Sequence, residues 1–481
     1  MSDSYKIKKN ANICSEGRVR PMEKASKAEK VKTIQNKIIS HGKKTFEDTL
    51  IIFRDALTFI VDVVDREFDA LEHLSTKEAV PAVERLIHRT KTNPHPKYDF
   101  SSKFYKFPSY FRRSAISKAL GIVKSHRSNL KNWEKERGQA LDEGKKFKKK
   151  PPVLRIDHEA FPVFYKGNMF KRLSENQAQI KVYKNGDWVW ETITFQTKNL
   201  KNRGITDWRE SNPIIVKKGK KYFIHFSYSK KIKLKNTKLE NQVIVAVDLG
   251  LTNSAVCSVM LSDGTVIGRK FINQPIEKDR MKSKINKLKK AQRQSGWISA
   301  SNYWRRINGL QKHIIFNTAS EIIKFAEKHH ADVIVFEYLG KMKMPKDYDG
   351  AKKLRHKLHH WCKIGIQNKV EQMAHYRGMR IRRVNAKNTS ALAFDGSGEV
   401  KRNNKRDLAT FPNGKVYHAD LNASYNIGAR YFIREFLKSF SEKKRLQWEA
   451  KVPSLAARTR QTLSSLISLH QAMNTEGVTL A

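Results

Sequence analysis

The sequence predicts an α/β second half, in which helices cover a mixed sheet, behind a first half of helices and antiparallel strands. Three observations carry this. After residue 243 the short apolar runs VIVAV, SAVCSVM and VIGRKFI are joined by turns, and DVIVF and MRIRRVNA each follow a helical stretch. Earlier, QIKVYKNGDWVWETITF and PIIVKKGKKYFIHFSYSK alternate apolar and polar residues about Asn185-Gly186 and Gly219, which are hairpin signals. Earlier still, Phe46, Leu50, Phe53, Leu57, Val61 and Val64 recur at helical spacing. A chain of 481 residues exceeds what one core usually serves, so two or more domains are expected.

Taken in order, the stripe from Phe46 to Val64 predicts one long packing helix. Between residues 104 and 111 the aromatics Phe104, Tyr105, Phe107, Tyr110 and Phe111 interleave with Lys and Arg ahead of a basic helix. Such rings stack bases while the cations hold phosphates, or else they are core residues beneath a solvated face. The run KKFKKKPP closes on two prolines and reads as an exposed linker or phosphate-tracking loop, with a boundary near residue 150. Residues 178 to 229 are expected to form antiparallel β structure belonging to a small barrel. Beyond residue 243 a three-stranded meander leads to a Lys-rich helical stretch over roughly 278–328, a strand, a helix near 357–377 and a further strand. Residues 441 to 481 read as helical.

Charge narrows the function. Lys and Arg number 96 against 46 Asp and Glu, a formal net charge of +50. Such a surplus repels itself and favours a polyanion whose counterions are released on contact, so nucleic acid is the expected partner. The candidate contacts are Tyr110, Arg112, Arg113, Lys124, Arg127, Lys148, Lys149 and Lys150. The positive charge is spread along the chain rather than gathered on one amphipathic helix, and the most apolar early stretch is broken by Arg54, Asp55 and Asp62. A membrane partner is therefore not expected. Cys14, Cys257 and Cys362 lie too far apart for a disulfide framework, and the first residues lack the apolar segment of a secretory signal. A cytoplasmic protein is expected.

Three acids stand where strand and helix ends would meet: Asp248 after VIVAV, Glu337 after DVIVF, and Asp420 in YHADLNASYNIGARYF just before a helix. Each alone could be a strand-end acid or an N-cap. Together, on separate elements of a strongly basic chain, they suit a hard cation such as Mg²⁺, which takes oxygen ligands. Two such ions about 4 Å apart would activate water and steady the leaving oxygen in phosphodiester hydrolysis.

These residues carry a resemblance. Asp248-Leu249-Gly250 with the following Thr252 and Asn253, then V-I-V-F-E-x-L, then A-D-L-N-A-x-x-N-I resemble the three split RuvC motifs of the TnpB family, the transposon-encoded RNA-guided nucleases related to compact type V CRISPR effectors. The resemblance is specific over residues 243 to 432. It implies an RNase H-like (RuvC) nuclease domain, preceded by a β-barrel wedge domain interrupted by a helical recognition domain. It implies that Asp248, Glu337 and Asp420 hold two Mg²⁺ ions, with Mn²⁺ able to substitute, and cut DNA. The implied division is wedge over 1–40 and 151–240, recognition over 41–150, nuclease over 241–388 and 418–481, and an insert over 389–417 in the target-strand loading position. The implied partners are a guide RNA and target DNA, as heteroduplex and displaced strand, in a nucleoid-associated prokaryotic protein that is a monomer or a homodimer.

One departure stands out. Many relatives bind zinc through two CxxC pairs in the insert, where this chain has no cysteine, so no zinc is expected; Asp395-Gly396 and Asn413-Gly414 suggest two hairpin turns instead. His356 and His360 share a helical spacing that can hold zinc but lack adjacent acidic or thiol ligands. D-L-G-x-T also echoes an actin-like phosphate loop, yet the second Gly-rich loop is missing and the charge is wrong. Two other readings stay open: an RNA-guided DNA binder that does not cut, and a guide-independent RuvC-like nuclease or transposase. Loss of an acid would mark the former, and all three acids are present.

Overall fold

The computed structural model describes residues 27–40, 43–144, 146–156, 160–198, 200, 204–295, 300–338, 362–404 and 407–476. His356, His360 and Cys14 lie outside them. The described residues fall into two compact units, the first over Val31–Lys230 and the second of Lys27–Lys30 together with the residues from Lys231 onward.

In the first unit, β1 (Lys27–Ser40) precedes the helices α1 (Lys43–Arg66), α2 (Phe68–Leu71), α3 (Thr76–Ile87), α4 (Phe100–Lys103) and α5 (Ser109–Asp142). The strands β2 (Ala160–Val163), β3 (Phe170–Arg172), β4 (Gln177–Lys184), β5 (Asp187–Phe195), β6 (Arg209–Glu210), β7 (Ile214–Lys218) and β8 (Lys221–Lys233) follow. The sheet runs β2-β7-β8-β1-β5-β4-β3, with β6 on β8. Its two outer strands are consecutive in the chain, joined by a tight turn in which the amides of Met169 and Phe170 donate to the Tyr165 carbonyl at 2.8 and 3.1 Å. The sheet therefore curls back on itself. Both expected hairpins are present, Lys184 facing Asp187 and Lys218 facing Lys221. At the first, Asn185 and Gly186 both take positive φ, the twist a two-residue hairpin needs.

The stripe of α1 is wider than the spacing suggested, since Ala56, Ile60 and Val63 are buried beside Phe53, Leu57 and Val64. Helices and sheet share one core from Ile34 to Tyr228, so residue 150 is not a boundary between cores. Side chains on the helices also satisfy strand groups: the Tyr183 amide donates to Thr49 Oγ1 at 2.9 Å, and the Val163 amide to Ser114 Oγ at 2.9 Å. Among the interleaved aromatics, Phe107 and Phe111 are buried, while Tyr105 is 77% exposed.

The second unit is built on β9 (Ile244–Asp248), β10 (Ala255–Met260), β11 (Val266–Ile272), β12 (Val333–Tyr338) and β13 (Arg380–Asn385), in the order β11-β10-β9-β12-β13. The meander is antiparallel, and β12 lies parallel to both β9 and β13. The inner strands are apolar along their length because both faces are covered. Ile244, Ala246, Val333 and Val335 pack against α9 (Ala419–Ser439). Val245, Val247, Ile334 and Phe336 face α7 (Ser301–Lys328) and α8 (Lys363–Tyr376). A Cβ on Gly428 of α9 would lie 2.9 Å from Met260 Sδ and 3.3 Å from Ala246 Cβ, so glycine allows the close approach of helix to sheet.

The Lys-rich stretch forms two helices, α6 (Pro275–Ser295) and α7, held by a small cluster of Ile285, Leu288 and Ile307. In the insert, β14 (Lys401–Arg402), β15 (Leu408–Thr410) and β16 (Val416–His418) form an antiparallel sheet. Its two expected turns are tied together by Asn413 Nδ2, which donates to Asp395 Oδ2 at 2.8 Å. The chain ends in α10 (Glu442–Lys451) and α11 (Leu463–Thr475). Among the described residues no helix is long and apolar enough to cross a membrane.

Candidate active site

Strand register brings the first two acids together. Phe336 of β12 pairs with Val247 of β9, so Glu337 and Asp248 continue that pairing side by side at the strand ends. Phe336 and Val247 face α7 and α8, and alternation turns the next residues to the opposite face, the one covered by α9. The first turn of α9 carries Asp420. Carboxylates from two inner strands and a helix thus lie near one another at the strand ends, where Asp248 feels the charges of Glu337 and Asp420.

The loop after Asp248 shapes this meeting. A Cβ on Gly250 would stand 2.9 Å from the Asn253 carbonyl and 3.2 Å from Asp420 Oδ2. Any larger residue would push on the carboxylate. Asn253 Nδ2 donates to that same Oδ2 at 3.2 Å. The Lys278 ammonium, from α6, donates to the Leu251 and Thr252 carbonyls at 3.2 and 2.6 Å and pins the loop. Glu337 is held by Thr389 Oγ1, which donates to its Oε1, while Gln367 Nε2 donates to its backbone carbonyl at 3.0 Å.

Electrostatics set the demand for a cation. Burial raises the Asp248 carboxyl well above the usual range, the charges of Glu337 and Asp420 raise it further, and Arg402 opposes them. Burial also raises Glu337, against the hydrogen bond from Thr389 and the charges of Arg430 and Lys363. Asp248 is the member that feels both other acids. Among the described residues no three His, Cys, Asp or Glu side chains are gathered closely enough to hold one ion as they stand. An all-oxygen set in which burial raises Asp248 and Glu337, and neighbouring charge raises Asp248 further, nevertheless fits hard divalent cations, with waters completing the coordination.

The sequence reading overlooked several supporting residues. Asn422, Asn426 and Arg430 form a buried polar stripe at four-residue spacing on α9. Asn422 accepts from the Phe394 amide at 2.8 Å; Asn426 donates to the Thr389 and Leu392 carbonyls, both at 2.9 Å. The Arg430 guanidinium donates to the carbonyls of Asn385, Lys387, Thr459 and Gln461 at 2.7–3.1 Å, and burial lowers it to about 10. These bonds fix the segment bearing Thr389. Polar residues at i, i+4 and i+8 in an otherwise apolar helix were the signal available.

The candidate nucleic-acid contacts are placed unevenly. Arg112 is 6% exposed and faces Glu84 at 3.5 Å, a packing position. Arg113 pairs with the same Glu84, Arg127 with Asp65 and Lys149 with Glu136. Tyr110 packs against Tyr165, and Lys124 donates to the Glu72 carbonyl. Lys148 and Lys150 are exposed. All eight lie in the first unit.

Comparison with known proteins adds kinship. The Aq_aa04 family pattern matches residues 32–184. The TnpB-like protein aq_aa05 of Aquifex aeolicus (strain VF5) is 26% identical over 235 residues, covering 44% of this chain and 74% of that protein. The uncharacterized protein aq_aa04 of the same organism is 32% identical over 117 residues, covering 22% and 65%. Solved structures match more loosely. The mini-RNA-guided endonuclease CRISPR-Cas_phi3 is 10% identical at a TM-score of 0.46, over 83% of this chain and 92% of that one. A Cas12f1–sgRNA–target DNA complex is 16% identical at a TM-score of 0.42, over 83% and 98%.

Proposed function

Taking as premise that the chain is a relative of the TnpB-like proteins, we propose that it is an RNA-guided DNA endonuclease that hydrolyses phosphodiesters at an RNase H-like, RuvC-type site. The observation that carries this is the nearness of Asp248, Glu337 and Asp420 at the ends of two inner strands and the start of a helix, in a chain of net charge +50. A meander joined to parallel strands in the order β11-β10-β9-β12-β13 supports the RNase H-like reading. The first unit would hold the guide RNA and its heteroduplex with target DNA by charge and shape, with β1 and the strands after residue 151 as wedge and the helices between as recognition domain. Residues 389–417 would lie in the target-strand loading position. The protein would work in the prokaryotic cytoplasm beside the nucleoid.

In this mechanism Asp248, Glu337 and Asp420 would hold two Mg²⁺ ions, or Mn²⁺, which supply water activation and stabilisation of the leaving oxygen when bound. The chain's own residues set the geometry. Asn253 and Gly250 fix the Asp420 carboxylate, and Thr389 fixes Glu337. Arg402, whose charge is felt at Asp248, is one of the cations near the three acids that an arriving phosphate would meet.

Asp248→Ala is the direct test. Mg²⁺-dependent DNA cleavage by the protein with its co-purified RNA is expected to fall to background, while RNA binding stays within about twofold. Full cutting by that variant would remove the active-site assignment. Sequencing the co-purified RNA separates the guided reading from an unguided one: a discrete scaffold with a variable end supports guidance, and a DNA-cutting protein with no specific RNA overturns it.

A further inference from the structure

Lysine is rarely buried, and at the start of a helix its charge opposes the helix dipole. Lys363 breaks both preferences. It is the first residue of α8 and only 8% exposed, in a helix whose N-cap, Cys362, makes no side-chain cap bond and whose first turn carries no acid. Burial lowers its ammonium, and the charge of Glu337 opposes that fall. A residue placed against two local rules answers a demand other than folding.

Topology places this lysine at the acids. Strands β12 and β13 are parallel, and α8 passes into β13 through residues 377–379. The last turn of α8 therefore lies where these strands begin, and its first turn where they end, with Glu337. Side chains at four-residue spacing fix the alignment: Gln367 donates to the Glu337 carbonyl at 3.0 Å, and Glu371 accepts from Arg383 of β13 at 2.8 Å. Lys363, Gln367 and Glu371 are all buried and form one polar stripe, of which Lys363 is the end nearest the acids. The charges of Arg430 and Lys363 both act on Glu337. Arg430 is committed to four backbone carbonyls. Lysine instead carries a compact charge on a flexible stem, able to move when the charge it faces is taken.

We propose that Lys363 is the resident counter-cation of Glu337 and sets how weakly the carboxylates hold a divalent ion, an inference that rests on reading the three acids as a metal site. A positive charge held against one of the acids competes with any second cation for it. Lys363 is in this sense a positioning residue, acting on the metal through Glu337. A lysine buried for packing alone contributes to stability and leaves metal affinity unchanged.

The probe is Mn²⁺ alone, titrated into the full-length protein freed of RNA and followed by electron paramagnetic resonance of the free ion. Sites present in the wild type and lost in Asp420→Asn are the ones scored. Lys363→Met is expected to lower the Mn²⁺ dissociation constant of those sites by roughly tenfold. Lys363→Gln, polar but uncharged, gives the same shift, and Lys363→Arg, which keeps the charge, stays within about threefold of the wild type. Unchanged or weakened affinity in Lys363→Met and Lys363→Gln overturns the proposal. A second measurement needs no metal. In chelator, denaturant titrations of Lys363→Met, Glu337→Gln and the double variant are expected to depart from additivity by roughly fivefold or more in the unfolding equilibrium constant. Additive effects overturn the pairing. A wild type with no Mn²⁺ site that depends on Asp420 sinks the metal reading of the acids and takes the tuning with it, while the cycle in chelator still scores the pair.

Discussion

Gly250 is the residue on which the site's spacing turns. A methyl group there would sit 2.9 Å from the Asn253 carbonyl and 3.2 Å from Asp420 Oδ2, and neither can retreat without moving the carboxylate. Gly250→Ala is expected to slow single-turnover cleavage by roughly tenfold or more, since small displacements of reacting groups cost orders of magnitude, with little change in melting temperature. A wild-type rate would show that the loop yields freely. The acids give a second prediction. Burial raises Asp248 and Glu337, and like charge raises Asp248 further, so the native state holds protons that the unfolded chain releases. Their contribution to stability is complete below the unfolded carboxyl values and is lost as pH rises through the raised native ones. Without divalent cation the protein should therefore lose stability from acid toward neutral pH. Asp248→Asn should raise the neutral melting temperature by roughly 2–4 °C. Melting curves in chelator across pH check both, and a variant no more stable than wild type at neutral pH refutes the repulsion. At this scale Asp248 and Glu337 were legible as acids ending apolar runs and Asp420 as an acid just before a helix, whereas Asn253 and Thr389 were not assigned, because their work is to hold acids distant in the chain.

Among the elements, α9 does the assembling. Its apolar residues cover the sheet, and its buried polar stripe of Asn422, Asn426 and Arg430 ties down residues 385–394 and 459–463. Arg430→Met would leave four carbonyls without their donor in a buried setting. A loss of roughly 3–5 kcal/mol is expected, read by denaturant titration. Arg430→Lys keeps the charge but lacks the planar fork, so it should recover only part. A loss below about 1 kcal/mol would mean that water replaces the guanidinium. Amphipathic periodicity found this helix but assigned no role to its polar positions. Periodicity marks which residues share a face and leaves open whether that face meets water or another segment's carbonyls.

For the whole molecule, charge governs. If the +50 surplus meets a phosphate backbone, affinity for DNA or RNA should fall steeply with salt. The slope of log K against log salt is expected to be about −5 or steeper, at roughly 0.9 per neutralised phosphate on duplex. A salt titration over roughly 50 to 200 mM measures it, and a slope near zero would remove the polyanion reading. By itself the sequence determined the hairpins at Asn185-Gly186 and Gly219, the meander, the helical stripe from Phe46, the cation surplus and the three acids, because each follows from local spacing or composition. Only the tertiary structure decided that the helices before residue 142 share a core with the curled sheet, that Arg112 faces Glu84, and that Gly250 touches Asp420. The reason is physical: periodicity and charge are properties of neighbours along the chain, whereas burial, close approach and carboxylate repulsion arise between segments that only folding brings together.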